Sequence, residues 1–242
     1  MKGTYHSIET FGTVDGPGIR YVLFLSGCQL RCSFCHNPDT WEQGSQVITV
    51  DEVLADVQRY RNFYDKSGGG ITVSGGEPLL QAEFVAELFR NCQEQGIHTL
   101  LDTSGCAQLE SLRLVLPYTD QIQFSIKAVD PVLHKQLTAM GNKAIFTNLH
   151  YVAEQKIPLV IRYVVIPEVN DSSADLQQLA DLVNSLLGKA SVELLGYHIL
   201  GLEKWRQLGW YYRLEHIRAA TEQDLERAKT ILNQQGIQTL VC

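Results

Sequence analysis

Apolar positions in this chain follow two periods that take turns from residue 21 onward. Tyr21 to Leu25 is an unbroken apolar run, and short runs recur at Ile71 to Val73, Thr99 to Leu101, Ile122 to Ile126, Leu159 to Val165 and Val192 to Leu195. Runs this short, bounded by turn residues and rich in β-branched side chains, predict strands. Between them apolar residues return every three or four positions. In Asp51 to Tyr64 these are Val53, Leu54, Val57 and Tyr60, with Asp51 placed to cap the stretch. That period predicts helices there and over 81–95, 109–116, 143–155, 174–187 and 222–235, the last leading into Ile237 to Val241. Roughly six strand–helix repeats in strict alternation predict an α/β fold with a parallel sheet and right-handed crossovers. No linker, low-complexity tract or internal repeat breaks the pattern, so one domain over 1–242 is expected, with an irregular segment at 201–220.

In parallel α/β folds the working residues collect where strands end, because the loops there converge on one face. The first predicted strand runs into Cys28, Cys32 and Cys35, spaced C-x-x-x-C-x-x-C, with Phe34 before the last. Three thiolates on a short loop can hold three corners of a cubane iron–sulfur cluster and leave one iron open for chemistry. The same three with His36 also satisfy the ligand count of a structural zinc. Gly75-Gly76-Glu77 follows the second strand. There a backbone without Cβ atoms can approach a ligand closely, or simply turn the chain. Asp102 ends the third strand, where it is either an acceptor for a ligand or cation or the cap of the next helix. Ser125 and Lys127 end the fourth strand, the lysine suited to a carboxylate or else solvated; Arg162 lies within the fifth, and Tyr197-His198 follows the sixth. Of seven histidines, only His36 and His198 adjoin these loops.

Composition narrows the class. At 242 residues with 45% hydrophobic content, the chain can bury one substantial core. A formal net charge of -7 argues against broad electrostatic binding to nucleic acid or anionic membrane. No stretch approaches the ~20 apolar residues of a membrane span, and the N-terminus has no basic segment followed by an apolar run. A cytoplasmic protein is expected. Six cysteines, three of them clustered, point to metal ligation in a reducing compartment rather than to disulfides. Cys92, Cys106 and Cys242 lack ligand spacing and read as ordinary thiols, which leaves one cluster.

Residues 12–20, Gly-Thr-Val-Asp-Gly-Pro-Gly-Ile-Arg, taken with Cys28 to Asn37, are similar to the glycyl-radical enzyme activases of the radical S-adenosylmethionine (SAM) superfamily. The pattern continues through Ser67-Gly68-Gly69-Gly70, Gly75-Gly76-Glu77, Ile97-His98-Thr99, Asp102-Thr103, Ile161-Arg162-Tyr163-Val164-Val165 and Tyr197-His198, so that it covers essentially the whole chain. The resemblance implies a single-domain partial (β/α)6 TIM-like barrel. It implies one [4Fe–4S] cluster on Cys28, Cys32 and Cys35, with the methionine end of SAM chelating the open iron. An electron passed to the sulfonium then yields methionine and a 5′-deoxyadenosyl radical, which takes a hydrogen from the Cα of one glycine in a partner glycyl-radical enzyme, pyruvate formate-lyase or a relative. A flavodoxin- or ferredoxin-type electron donor and a monomeric state go with it. Carried over by position, Phe34 and His36 flank the cofactor, Gly76 and Glu77 lie at the methionine end, Lys127 faces the carboxylate and His198 lies near the nucleoside. Asp15 holds the incoming glycine loop, and Arg162 belongs to the same shell.

Two positions depart from that pattern. Activases of this kind carry an aspartate where this chain has Ser125, and with the equivalent of Asp102 it frames a monovalent cation near SAM. Without that carboxylate, a cation is bound more weakly or gives way to Lys127 or water. Arg218-Ala219-Ala220 stands where a Lys-Pro-Pro stretch is usual, although Lys204-Trp205 nearby matches. The competing expectations are an activase of another glycyl-radical enzyme, such as anaerobic ribonucleotide reductase, a radical SAM enzyme acting on a small molecule, and a zinc-binding module. The Asp15 turn speaks against the small-molecule enzyme, and a colourless protein indifferent to SAM would identify the zinc module.

Overall fold

The computed structural model describes residues 1–241, so Cys242 lies outside the described residues. The chain forms two compact units, one from residues 1–29 and 40–123, the other from residues 30–39 and those from 124 on.

The first unit opens with an antiparallel hairpin. β1 (Lys2–Gly12) pairs with β2 (Arg20–Leu25) in the register Tyr5 to Leu25 and Gly12 to Arg20, and β3 (Val47–Thr49) pairs with β1 on its other side. From β2 the unit becomes parallel. β2 adjoins β4 (Gly70–Gly75), and β4 adjoins β5 (His98–Thr103). The crossovers are α1 (Val50–Ser67) and α2 (Ala82–Glu94), and α3 (Leu109–Val115) follows β5. α1 starts where the Thr49 hydroxyl caps the Glu52 N–H and Glu52 reaches back, and it stops at Gly68, whose φ of 71° suits a residue without Cβ. Its buried residues, Val50, Val53, Leu54, Val57 and Tyr64, are largely the stripe that the period predicts.

β6 (Gln121–Ile126) leads from the first unit into the second. The second unit continues through α4 (Pro131–Thr138), α5 (Lys143–Glu154), β7 (Leu159–Val165), α6 (Ser173–Asn184), β8 (Ala190–Gly196), α7 (Leu202–Gln207), α8 (Glu222–Gln234) and β9 (Thr239–Val241). β7, β8 and β9 are parallel in that order. Burial alternates strictly along β7: Leu159, Ile161, Tyr163 and Val165 are buried, while Val160, Arg162 and Val164 are half-buried. One face is therefore core and the other can carry chemistry.

The alternation is less strict than the apolar periods predict. β1 and β3 are antiparallel additions that no apolar run announces. The helix expected over 81–95 begins as a 3-10 turn at Pro78–Gln81, and the irregular segment contains α7. α4 was not expected, yet Asp130 caps it and Pro131 opens it, both ordinary start signals. No helix among the described residues is long and apolar enough to cross a membrane.

Candidate functional site

Each unit carries its own share of the predicted site residues. In the first, β2 ends three residues before Cys28, and that approach is pinned by backbone hydrogen bonds. Gly27 N–H donates to the Thr40 carbonyl at 2.8 Å, and Cys28 N–H to that of Trp41 at 3.0 Å. The Gly75–Glu77 loop is stitched to the same segment, Gly76 N–H to the Leu25 carbonyl at 2.9 Å and Glu77 N–H to the Gly27 carbonyl at 2.8 Å. A Cβ on Gly76 would sit 2.1 Å from the Gly27 carbonyl oxygen, and Gly75 combines a φ of 112° with a similar clash at Leu25. The two glycines thus let one backbone lie directly on another.

Glu77 is wholly buried. Its Oε1 accepts from the Leu79 N–H at 3.1 Å and the Thr103 hydroxyl at 2.6 Å; its Oε2 accepts from the Ser104 N–H at 2.9 Å and the Ser104 hydroxyl at 2.5 Å. Burial pushes its carboxyl upward against the pull of those four donors. The carboxylate thereby locks the loop after β4 to the loop after β5. Asp102 is half-buried on β5 and takes the Ser74 hydroxyl at 2.7 Å, while the N-cap of α3 is Gln108. Asp102 is therefore turned toward the neighbouring strand end and does not cap a helix.

Asp15 lies in the turn between β1 and β2. Its carbonyl accepts the Thr72 hydroxyl at 2.8 Å, which draws the turn to the middle of β4. Beneath it Arg20 is fully buried, donating to the Thr72 hydroxyl at 2.5 Å and to the Ile71 carbonyl at 2.6 Å, with Nη2 3.3 Å from His98 Nδ1. Burial lowers the guanidinium to about 10 although Asp15 and Asp120 favour its charge.

In the second unit Cys32 and Cys35 bracket a turn closed by the Cys35 N–H on the Cys32 carbonyl at 3.0 Å. α4 holds its entry: Arg31 N–H donates to Thr138 and Ser33 N–H to Leu137, at 2.9 and 2.8 Å. Phe34 is buried, and Lys127 Nζ stands 5.9 Å from its ring centre. Ser125 is half-buried two residues before Lys127. Asn170, wholly buried, donates to the Val164 carbonyl at 2.8 Å and lies 3.4 Å from that of Lys127. Arg162 makes a 2.5 Å ion pair with Glu193, both side chains nearly buried.

His36 and His198 come together, their rings 3.9 Å apart. Burial lowers both imidazoles, and His36 is lowered further by its neighbour. The segment after β8 then folds over the cysteine turn. Trp205 Nε1 donates to the Cys35 carbonyl at 2.8 Å, Lys204 reaches Asn37 at 2.8 Å and Asp39 at 3.1 Å, and a Cβ on Gly201 would meet His36 Cα at 2.9 Å. Neither this strap nor the roles of Asn170 and Ser104 follow from strand-end reasoning. The Lys204-Trp205 pair was visible only as a family match.

Cys92 is a core thiol pushed up to about 12 by burial, and Cys106 is half-buried. Among the described residues no group of three or more His, Cys, Asp and Glu side chains is gathered closely enough to hold a single metal ion. A cubane spreads its thiolates over separate irons, and a turn that fixes Cys32 and Cys35 while exposing part of Cys35 suits that donor set.

A model of the Radical SAM superfamily matches residues 22–183. The chain is 43% identical over 247 aligned positions to the pyruvate formate-lyase-activating enzyme of Staphylococcus aureus, spanning 98% of this chain and 97% of that protein. Among solved structures, a domain of pyruvate-formate lyase-activating enzyme from Bacteroides vulgatus is similar with a TM-score of 0.61 and 27% identity, covering 72% of this chain and 99% of that one. A radical SAM methyltransferase from Sphaerobacter thermophilus aligns with a TM-score of 0.69 over 92% of this chain and 66% of its own, at 22% identity, a likeness of fold.

Proposed function

From the premise that this chain belongs to the radical SAM superfamily, an α/β fold with a mostly parallel sheet, and within it to the family of pyruvate formate-lyase-activating enzymes, we propose that it activates pyruvate formate-lyase by generating a glycyl radical. The observation that carries this reading is an identity of 43% running through 98% of the chain, with the cysteine spacing inside it. The family implies a [4Fe–4S] cluster and SAM. When bound, the cluster supplies an electron, and SAM supplies the 5′-deoxyadenosyl group that takes a hydrogen from the partner's glycine.

The chain's own part is to bind, orient and keep dry. Cys28, Cys32 and Cys35 hold the single cluster. The Gly76–Glu77 loop receives the amino end of SAM, its shape set by the buried Glu77 clamp. Lys127 meets the SAM carboxylate, its backbone steadied by Asn170. Phe34 and His36 flank the cofactor beside the cluster, and His198 lies near the nucleoside. Asp15 and Arg162 receive the glycine loop. With Ser125 in place of a carboxylate, Asp102 is the only acid of that pair left to attract a cation. The electron comes from a flavodoxin- or ferredoxin-type donor.

The test is electron paramagnetic resonance on anaerobically reconstituted protein mixed with reductant, SAM and a pyruvate formate-lyase. A SAM-dependent glycyl-radical doublet is the expected result. A second reading, the same chemistry on another glycyl-radical enzyme, is favoured by the departures at Ser125 and Arg218-Ala219-Ala220. It predicts 5′-deoxyadenosine without a doublet. A colourless protein that leaves SAM intact overturns both.

A further inference from the structure

Inside the cysteine turn a hydroxyl is buried with nothing to bond. Ser33 is 3% exposed, and its Oγ has no hydrogen-bond partner, a condition it shares among the described residues with Thr4 Oγ1 and Gln123 Oε1. Buried hydroxyls are ordinarily paired, because giving up water without a replacement is costly. A serine in a turn usually finds a neighbouring backbone group. Ser33 does not, although the backbone N–H groups around it are paired: its own N–H reaches Leu137, the Arg31 N–H reaches Thr138, and the Cys35 N–H closes the turn on Cys32. These bonds fix the backbone on both sides, and the side chain they hold is buried. It is held next to Cys32 and two residues from Cys35.

We propose that the Ser33 hydroxyl donates a hydrogen bond to a sulfur of the cluster carried by this turn and thereby raises the cluster's reduction potential. The inference rests on the cluster assignment made above. Reduction adds negative charge to the cluster, and a donor aimed at sulfur stabilises the reduced form more than the oxidised one. Hydrogen bonds to ligating groups are a general means of tuning metal sites. The position is also a free choice for the chain, since the spacing between the second and third cysteines demands nothing of the residue after Cys32. Serine here brings a hydroxyl donor on a small side chain into a buried turn.

The test compares wild-type, Ser33→Ala and Ser33→Thr proteins, each reconstituted anaerobically and titrated by reductant under electron paramagnetic resonance, without SAM or partner. Thermal melting of the same three proteins without cluster accompanies it. Ser33→Ala is expected to shift the midpoint potential to a more negative value, and Ser33→Thr, which keeps the hydroxyl, to stay near wild type. Without cluster, Ser33→Ala is expected to melt at the wild-type temperature or higher, because it removes an unpaired polar group. A merely structural serine would do the reverse, lowering the melting temperature and leaving the potential alone. Equal potentials for wild type and Ser33→Ala, or a lower melting temperature for cluster-free Ser33→Ala, overturn the proposal. Loss of the cluster in Ser33→Ala with retention in Ser33→Thr supports it; loss in both with intact folds overturns it. Failure of the wild type to take up any reducible cluster is a separate result, and it removes the underlying assignment and the proposal together.

Discussion

The loop after β4 and the turn between Cys32 and Cys35 both follow from short glycine- or cysteine-marked motifs, but their buried polar groups are treated differently. In the first, both oxygens of Glu77 are taken by Leu79, Thr103 and Ser104. In the second, backbone groups are paired while the Ser33 hydroxyl is not. A region whose polar groups are satisfied within the chain is finished by folding alone. A region with a buried orphan has room for one more bond, and at Ser33 the proposed bond is the one to the cluster.

That contrast can be broken from either side. The largest effect is expected from Cys32→Ala, which should drop 5′-deoxyadenosine formation to background and lower bound iron, while the melting temperature of the cluster-free protein stays near wild type. Collapse of the fold would mean that the cysteine turn, like the Glu77 loop, is built for stability. Glu77→Gln places an amide N–H₂ among donors that need an acceptor. It should cost about 3 kcal/mol of folding stability, as befits hydrogen bonds to a buried charge. Denaturant unfolding would measure this, and a change under a few tenths of that size would show the clamp to be dispensable. Trp205→Phe keeps an aromatic ring beside Trp210 and Tyr212 but removes the donor to the Cys35 carbonyl. A loss of about 1 kcal/mol is expected, together with faster removal of iron by a chelator; unchanged iron release would separate the strap from the cysteine turn.

The smallest effect concerns His98, in the first unit beside Arg20. Burial and then the Arg20 charge hold its imidazole below the ordinary value of 6.5. The folded state therefore resists a proton that the unfolded chain accepts. Stability from this group is complete above about pH 6.5 and is lost as pH falls below it. His98→Gln should flatten that part of the stability profile below about pH 6.5. A profile identical to wild type would show that another group accounts for the slope.

Much of the fold was legible because helices and parallel strands write their periods locally. The stripe of α1 and the residues at strand ends follow from spacing, whereas the alternating burial of β7 does not, because Val160 and Val164 are as apolar as their buried neighbours. β1 was not legible: its sequence, Lys-Gly-Thr-Tyr-His-Ser-Ile-Glu-Thr-Phe-Gly, is half-buried along most of its length and shows no clean period of two. It becomes a strand by pairing with β2, a tertiary effect stronger than its own propensity. The short α7 was hidden for a related reason, since six residues are too few for a helical period to emerge.

What the sequence by itself determined was the inventory of the candidate site: three cysteines at a fixed spacing, a Gly-Gly-Glu loop, and Lys127 and His198 after strands, all encoded by neighbours a few residues apart. What only the tertiary structure decided was how those groups are used. Glu77 meets Ser104 across 27 residues, and Trp205 meets Cys35 across 170. Such pairings depend on where distant segments come to rest, and no local period records that. The orphaned state of Ser33 belongs to the same class, because a missing partner is visible only once every possible partner has a place.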